Sequence, residues 1–257
     1  LADKDWKKTI AKRAIALLDL TNLDEACTLA DIDQLCQRAQ TPYGNTAAIC
    51  IWKEFVEHAK SRLLGTGVRI ATVVNFPAGS TDTDAVLAEV SMAIVAGADE
   101  IDLVFPYRAF LEGDLETCID QMARVRDACR PPVLLKVIIE SGELNEDSAI
   151  QSASRLAIDC GADFIKTSTG KVKVNATPHT AQIMMTAIRD SGKPVGFKPA
   201  GGIRTLDDAA AYLAIADEIM GREWASQSTF RFGASGVLTN LLAVLNDEAV
   251  ARTEGGY

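Results

Sequence analysis

Ala162-Asp163-Phe164-Ile165-Lys166-Thr167-Ser168-Thr169-Gly170 is a short apolar run that ends in a lysine and passes at once into small residues. Thirty-two residues later Val195-Gly196-Phe197-Lys198-Pro199-Ala200-Gly201-Gly202 repeats that design. Segments with helical spacing flank both runs. Strand residues alternate faces, and a strand with helices on either side is covered and buried. A lysine there is costly, because the ammonium ion loses its hydration. Burial lowers its pKa, more so beside a second cation, and a neutral amine is what attacks a carbonyl to form a Schiff base. The competing reading is that both side chains snorkel out or pair with carboxylates. A third lysine, Lys136 in Val133-Leu134-Leu135-Lys136-Val137-Ile138-Ile139, makes a lysine layer the better account.

Working outward from these strands, the same alternation runs the length of the chain. Asp3 to Arg13 reads as a short helix placed to lie across the bottom of a barrel, followed by a strand over Ile15–Thr21 that carries Asp19. Further strands are expected at Ala47–Trp52, Arg69–Phe76, Glu100–Phe105, around Lys136, Lys166 and Lys198, and at Phe230–Ser235. Helical segments separate them, among them Leu29–Ala39, Lys53–Leu64, Asp82–Ala96, Asp114–Cys129, Asn145–Cys160, Pro178–Asp190 and Leu206–Ile219, with Val237–Leu245 last. Pro178 suits a first helical turn, where its missing N–H costs nothing. Eight strand-like segments alternating with helices in 257 residues predict one (β/α)8 TIM barrel over residues 1–257, with an extra N-terminal helix. Residues 246–257 lack apolar periodicity beyond Val250 and read as a mobile tail. Gly97-Ala98-Asp99 and Gly161-Ala162-Asp163 recur sixty-four residues apart, as repeated helix-to-strand junctions would. A doubly wound open sheet is the rival, but the chain has neither a Gly-x-Gly-x-x-Gly nor a Walker sequence.

Bulk properties narrow the class. Hydrophobic residues make up 48% and charged residues 24%, an ordinary soluble composition. The net charge of -9 argues against nucleic acid as a partner. No apolar stretch approaches a membrane span, and Leu1-Ala2-Asp3-Lys4-Asp5-Trp6 lacks the basic start and apolar middle of a signal peptide. Six cysteines without close pairing, and only His58 and His179 beside them, make a poor zinc set. A reducing, cytoplasmic compartment is the expectation.

In such a barrel the C-terminal strand ends form the active face. Asp19, Asp102, Lys166 and Lys198 arrive there, and Asp102 must be paired if it points inward. A structural ion pair would satisfy the same pattern. Lys136 reads as a neighbouring charge or an inward salt bridge. Cys50 is placed to touch the pocket, with a plain core thiol as the alternative. The turns Ala200-Gly201-Gly202 and Gly233-Ala234-Ser235-Gly236, with Thr167-Ser168-Thr169-Gly170-Lys171, offer backbone N–H groups, hydroxyls and a cation to a phosphate. A non-catalytic barrel that binds a phosphosugar would share these features, yet it would store inward lysines to no purpose.

Asp163–Gly170, Gly196–Thr205, Glu100–Val104, Leu18–Thr21, Asn45–Cys50 and the terminal Tyr257 together resemble the class I 2-deoxyribose-5-phosphate aldolase family, over essentially the whole chain. The resemblance implies a cofactor-free and metal-free barrel that interconverts 2-deoxy-D-ribose 5-phosphate with acetaldehyde and D-glyceraldehyde 3-phosphate. It makes Lys166 the Schiff-base lysine and Lys198 the cation that keeps it partly neutral. Asp102 serves proton transfer with water, supported by Asp19, and Tyr257 is the terminal tyrosine that reaches in during proton exchange. Thr169 lies in the loop whose Gly170 and Lys171, with Gly201, Gly202 and Ser235, match the phosphate positions. The family commonly has two serines in the last loop where this chain has Ser235-Gly236, so one hydroxyl donor is replaced by the Gly236 N–H. A homodimer is the family-based expectation. Another Schiff-base lyase, acting on a different sugar phosphate, is the nearest alternative.

Overall fold

In the strand Leu18–Asn22 (β1) of this computed structural model, Leu18 and Leu20 belong to the main apolar core shared with the helices, while Asp19 and Thr21 turn inward. The structure describes residues 2–249. Ala48–Ile51 (β4), Arg69–Val74 (β5), Glu100–Val104 (β6), Leu134–Ile138 (β7), Phe164–Lys166 (β8), Gly196–Lys198 (β9) and Phe232–Ala234 (β10) repeat that alternation. All pair in parallel, in the spatial order β10-β1-β4-β5-β6-β7-β8-β9. The seam between β9 and β10 is closed too: Phe197 N donates to Thr229 O at 2.8 Å, Arg231 N to Phe197 O at 3.0 Å and Gly233 N to Pro199 O at 2.9 Å. Closure leaves no sheet edge. Among the described residues the result is a (β/α)8 barrel of eight parallel strands, as the alternation predicts.

The helices form where the sequence supplies both an apolar stripe and a stop signal. Leu29–Arg38 (α2), Pro178–Ser191 (α8) and Leu206–Met220 (α9) start from Thr28, Thr177 and Thr205, each accepting the N–H three residues on in a capping box. Pro178 occupies the first turn of α8. Thr83–Ala96 (α4) ends at Gly97, whose φ of 100° is the left-handed region glycine tolerates. The two Gly-Ala-Asp junctions do the same work: Asp99 Oδ2 accepts from Ile70 N at 2.9 Å, and Asp163 Oδ2 accepts from Leu135 N at 2.8 Å. Each aspartate therefore staples the start of its own strand to the strand before it.

Differences from the sequence reading fall at element ends. The first helix (α1) spans Ala2–Ala16, so Ile15 and Ala16 are helical and the strand starts at Leu18. Ala11, Ala14 and Ile15 continue one helical stripe and bury together, which extends the helix past Arg13. Helix α1 packs against α9 and Val237–Leu245 (α10), with Arg13 bonded to Asp217 at 2.7 Å. A cavity of about 420 Å3 at the barrel base, lined by Arg69, Phe164, Gln227 and Arg231 among others, takes no lining residue from the described side chains of α1. Two elements had no signal in the sequence reading: the hairpin Gln40–Thr41 (β2) with Gly44–Asn45 (β3), and the single-turn helix Tyr107–Leu111 (α5). Residues 250–257, most of the expected tail, lie outside the described residues.

Beside this cavity the packing around Gly196 is tight. A Cβ built on Gly196 would sit 2.4 Å from Cε1 of Phe164, whose ring lies under the Arg231 guanidinium at 5.6 Å. Gly196→Ala is expected to cost about 1–3 kcal/mol, the usual penalty of overpacking a core, read as a lowered denaturation midpoint with an unchanged slope.

Candidate active site

Lysines from three strands converge on one carboxylate. Asp102 Oδ1 accepts from Lys136 Nζ at 2.8 Å, and its Oδ2 accepts from Lys166 Nζ at 2.9 Å and Lys198 Nζ at 2.8 Å. Lys198 also reaches Asp19 Oδ2 at 2.6 Å. Lys136 contacts Glu100 Oε2 at 2.6 Å and lies 3.6 Å from Asp19 Oδ2. Arg231 Nη1 donates to Asp19 Oδ1 at 2.7 Å, and its Nη2 to Glu100 Oε1 at 2.8 Å. Lys136, Lys198, Asp19, Glu100 and Asp102 are fully buried, whereas Lys166 is 2% exposed and sits at the mouth side of the ring. Thr167, next to Lys166, accepts from Ala200 N at 3.0 Å, which ties the end of β8 to the end of β9 and holds the two lysines side by side.

This geometry separates the lysines by proton affinity. Burial lowers the pKa of Lys166, Lys198 adds to the lowering, and one carboxylate opposes them, so the net shift is downward. Lys198 meets the same burial, but Asp102 and Asp19 outweigh it and hold its pKa well above the ordinary value. For Lys136 burial is likewise outweighed, by Asp102 and Glu100. Burial would raise the Asp102 carboxyl, yet Lys136, Lys166 and Lys198 hold it well below the usual range. The ring thus keeps fixed charges of both signs around its most loosely protonated amine. Cys50 is buried beside it, and burial pushes its thiol up, so it serves as a neutral wall. It packs with Leu23, Ala71 and Val73 in a small apolar cluster flanked by Trp52 and Phe76, apart from the main core.

The glycine turns assemble at adjacent strand ends. Gly170, Gly201 and Gly202 have φ of 83°, 83° and 81°, and Ser235 leads into Gly236, the N-cap of α10, which carries no side-chain cap. Thr169 is buried: its N–H and hydroxyl are 3.1 Å and 2.6 Å from the two oxygens of Glu140, and its Oγ1 accepts from Lys171 N at 3.0 Å. It shapes the loop that presents Gly170 and Lys171. Lys171 Nζ donates to Leu23 O at 3.2 Å. A cavity of about 550 Å3 opens here, lined by Thr21, Leu23, Arg38, Lys171 and Ser235 among others. Its wall carries the cations Arg38 and Lys171 and the carboxylates Asp24 and Glu25, with Ser235 leading to the N-terminus of α10, where backbone N–H groups suit an anion. Tyr257 lies outside the described residues.

Three participants were missed in the sequence. Glu100 precedes Asp102 by two on one strand, so the alternation that turned Asp102 inward applies to it as well. Arg231 between Phe230 and Phe232 carries the same signal. Glu140 does not: it sits beyond β7 with a φ of 51°, a conformation a side chain rarely adopts, and burial pushes its carboxyl up.

A parallel barrel that holds a loosely protonated lysine at the C-terminal end of its strands, within a buried ring of carboxylates and amines, is the architecture of a Schiff-base lyase. Residues 13–241 match the DeoC/LacD family aldolase, and the chain belongs to that family. The deoxyribose-phosphate aldolase of Agrobacterium fabrum is 57% identical over 248 residues, 96% of either chain. A Toxoplasma gondii ME49 structure described as a candidate deoxyribose-phosphate aldolase shares the fold at a TM-score of 0.87 and 22% identity, covering 95% of this chain and 97% of that one. The deoxyribose phosphate aldolase of Aeropyrum pernix, described as a tetramer, superposes at 0.74 with 24% identity, covering 92% and 91%.

Proposed function

We propose that this chain reversibly cleaves 2-deoxy-D-ribose 5-phosphate to acetaldehyde and D-glyceraldehyde 3-phosphate, with Lys166 as the Schiff-base lysine. The observation that carries the assignment is the contrast within the ring. Among its three lysines only Lys166 has a lowered pKa, only Lys166 bonds a single carboxylate, and only Lys166 keeps any exposed surface, at 2%. Its neutral amine adds to the C1 aldehyde, and protonated Lys198 gives the departing hydroxyl its proton. The iminium then draws in the electrons of the C2–C3 bond as the C3 hydroxyl loses its proton to the Asp102–Lys198 network. D-Glyceraldehyde 3-phosphate leaves, and the two-carbon enamine is protonated and hydrolysed from Lys166. The apolar wall of Leu23, Cys50 and Val73 suits that two-carbon fragment. Tyr257 belongs to this reading as the group that exchanges the enamine proton. The phosphate falls to Gly170, Lys171, Gly201, Gly202, Ser235 and the Gly236 N–H.

Incubation with acetaldehyde and sodium borohydride, followed by peptide mapping, tests the assignment. An ethyl group on Lys166 is the expected result, and trapping on Lys136 or Lys198 would overturn it. Lys171→Met is expected to raise KM for the phosphorylated sugar about tenfold or more with kcat little changed, because it removes binding made equally in ground and transition states. Unphosphorylated deoxyribose should be nearly indifferent to that change.

Among the described residues no helix is long and apolar enough to cross a membrane. All six cysteines are free thiols, which fits the reducing cytoplasm proposed for the chain. Assembly as a homodimer completes the reading, with sedimentation as its check.

A further inference from the structure

One layer below the reacting amine, Glu100 and Arg231 are buried to 0% and 2% exposure and contact the ring from beneath. Arg231 spans Asp19 and Glu100, its Nη1 also reaching Glu100 Oε2 at 3.1 Å, while its Nε donates to Gln227 O at 2.6 Å. Glu100 in turn meets Lys136, and Arg69 approaches its Oε1 at 3.3 Å. Among the inward residues of the barrel four cations, Lys136, Lys166, Lys198 and Arg231, face three carboxylates, Asp19, Glu100 and Asp102, and Arg69 and Glu140 at the edges of the ring add one group of each sign. Water cannot screen such a ring, so its net charge bears on every proton in it. The arginine cannot shed its own proton. The excess is therefore relieved at a lysine. Lys166 bonds one carboxylate, Lys198 two, and Lys136 is within ion-pair range of three.

We infer that Glu100 and Arg231 are positioning residues for the aldol reaction, Arg231 holding the ring one cation in excess and Glu100 limiting the excess to one, so that the amine that gives way is Lys166. The inference rests on Lys166 being the Schiff-base lysine. The groups that face Lys166 are Asp102 from β6, Lys198 from β9, the neutral thiol of Cys50 from β4 and Glu140 from the segment after β7. Glu100 is faced by Arg69, Lys136, Arg231 and Asp19, and Arg231 by Asp19 and Glu100. Neither residue bonds Lys166, so each acts through Lys136, Asp19 and Asp102. A side chain that only packs would change activity without moving the pH at which the amine becomes available.

The test is kcat/KM against pH for cleavage of deoxyribose 5-phosphate, with borohydride trapping mapped at each pH. Arg231→Met removes a cation, so Lys166 holds its proton more firmly. The acid limb should move up by about one pH unit, roughly a tenfold loss of rate on that flank. Glu100→Gln removes an anion, and the limb should move down by a similar amount. The double variant should return it near the original position, and Arg231→Lys should leave it in place. Trapping on Lys166 with the limb unmoved, or with both single variants moving it the same way, overturns the inference. Trapping on another lysine in the unaltered protein overturns the Lys166 assignment first, and the two failures are thereby distinct. Should Arg231→Met not fold, Glu100→Gln, which moves the limb down, and Arg231→Lys, which leaves it in place, still carry distinct expectations.

Discussion

Replacing Lys166 by methionine is expected to lower kcat by at least ~10⁴-fold, since no covalent intermediate then forms, while leaving the protein as stable as before or more so. The first half follows from the chemistry: among the lysines of the ring only Lys166 has a lowered pKa. The second half follows from the ring. Lys166 is buried, bonds a single carboxylate, and is the cation in excess of the three carboxylates. Methionine keeps its length and most of its volume, removes a desolvated charge and leaves three cations facing three carboxylates. Removing a buried charge that is poorly compensated is neutral or stabilising, whereas removing a needed partner is not. Lys198→Met supplies the contrast, because it strips a cation from both Asp19 and Asp102. Thermal denaturation and turnover on one set of samples check both halves. A Lys166→Met protein that retained turnover, or that lost stability as Lys198→Met does, would contradict them.

How much of this was legible in the chain depends on which physical rule was asked to speak. Strand alternation placed Lys136, Lys166, Lys198, Asp102 and Asp19 on the inward face, because each is a charged residue with apolar neighbours on either side or before it in its strand. The rule reaches Glu100 and Arg231 equally well. Both lie at the first inward position of their strand, where sequence alone cannot tell a residue at the solvent-facing rim from one sealed inside. The barrel tilt decides that, by setting Glu100 beside Leu134 and Ala71 in the register. Glu140 was beyond reach, since its place depends on a left-handed turn at a residue with a side chain.

The ends of elements failed for a related reason. Ile15 and Ala16 are apolar enough for a strand, and only the continuation of the Ala11 and Ala14 stripe against α9 and α10 makes them helical. The glycine turns, by contrast, were readable as a set. Gly170, Gly201 and Gly202 all adopt positive φ, and closure of the barrel brings the ends of β8, β9 and β10 side by side.

Asp102→Asn is expected to destabilise the protein by about 3–5 kcal/mol near neutral pH, the usual cost of removing one partner from a buried charge cluster, and to lower kcat at least ~10³-fold by removing the proton-transfer partner. Asp102 takes bonds from three ammonium groups through two oxygens, and the amide that replaces it offers one oxygen and no charge. Lys166 then loses its only bonded carboxylate among the described residues, and Lys198 and Lys136 are left to Asp19 and Glu100. The pH dependence gives the effect a signature. Despite burial, which opposes it, the three lysines hold the folded-state pKa of Asp102 well below its ordinary value. A group so depressed contributes stability that is fully present above the unfolded pKa of about 3.9 and is lost as pH falls through the folded value. The gap between the two proteins should therefore be widest at neutral pH and should narrow below about pH 4, where the unaltered protein loses the contribution its variant never had. Unfolding free energies from denaturant titrations at stepped pH would show it. A gap of constant size down to the acid limit would mean that Asp102 contributes through shape, and that its charge does not hold the ring together.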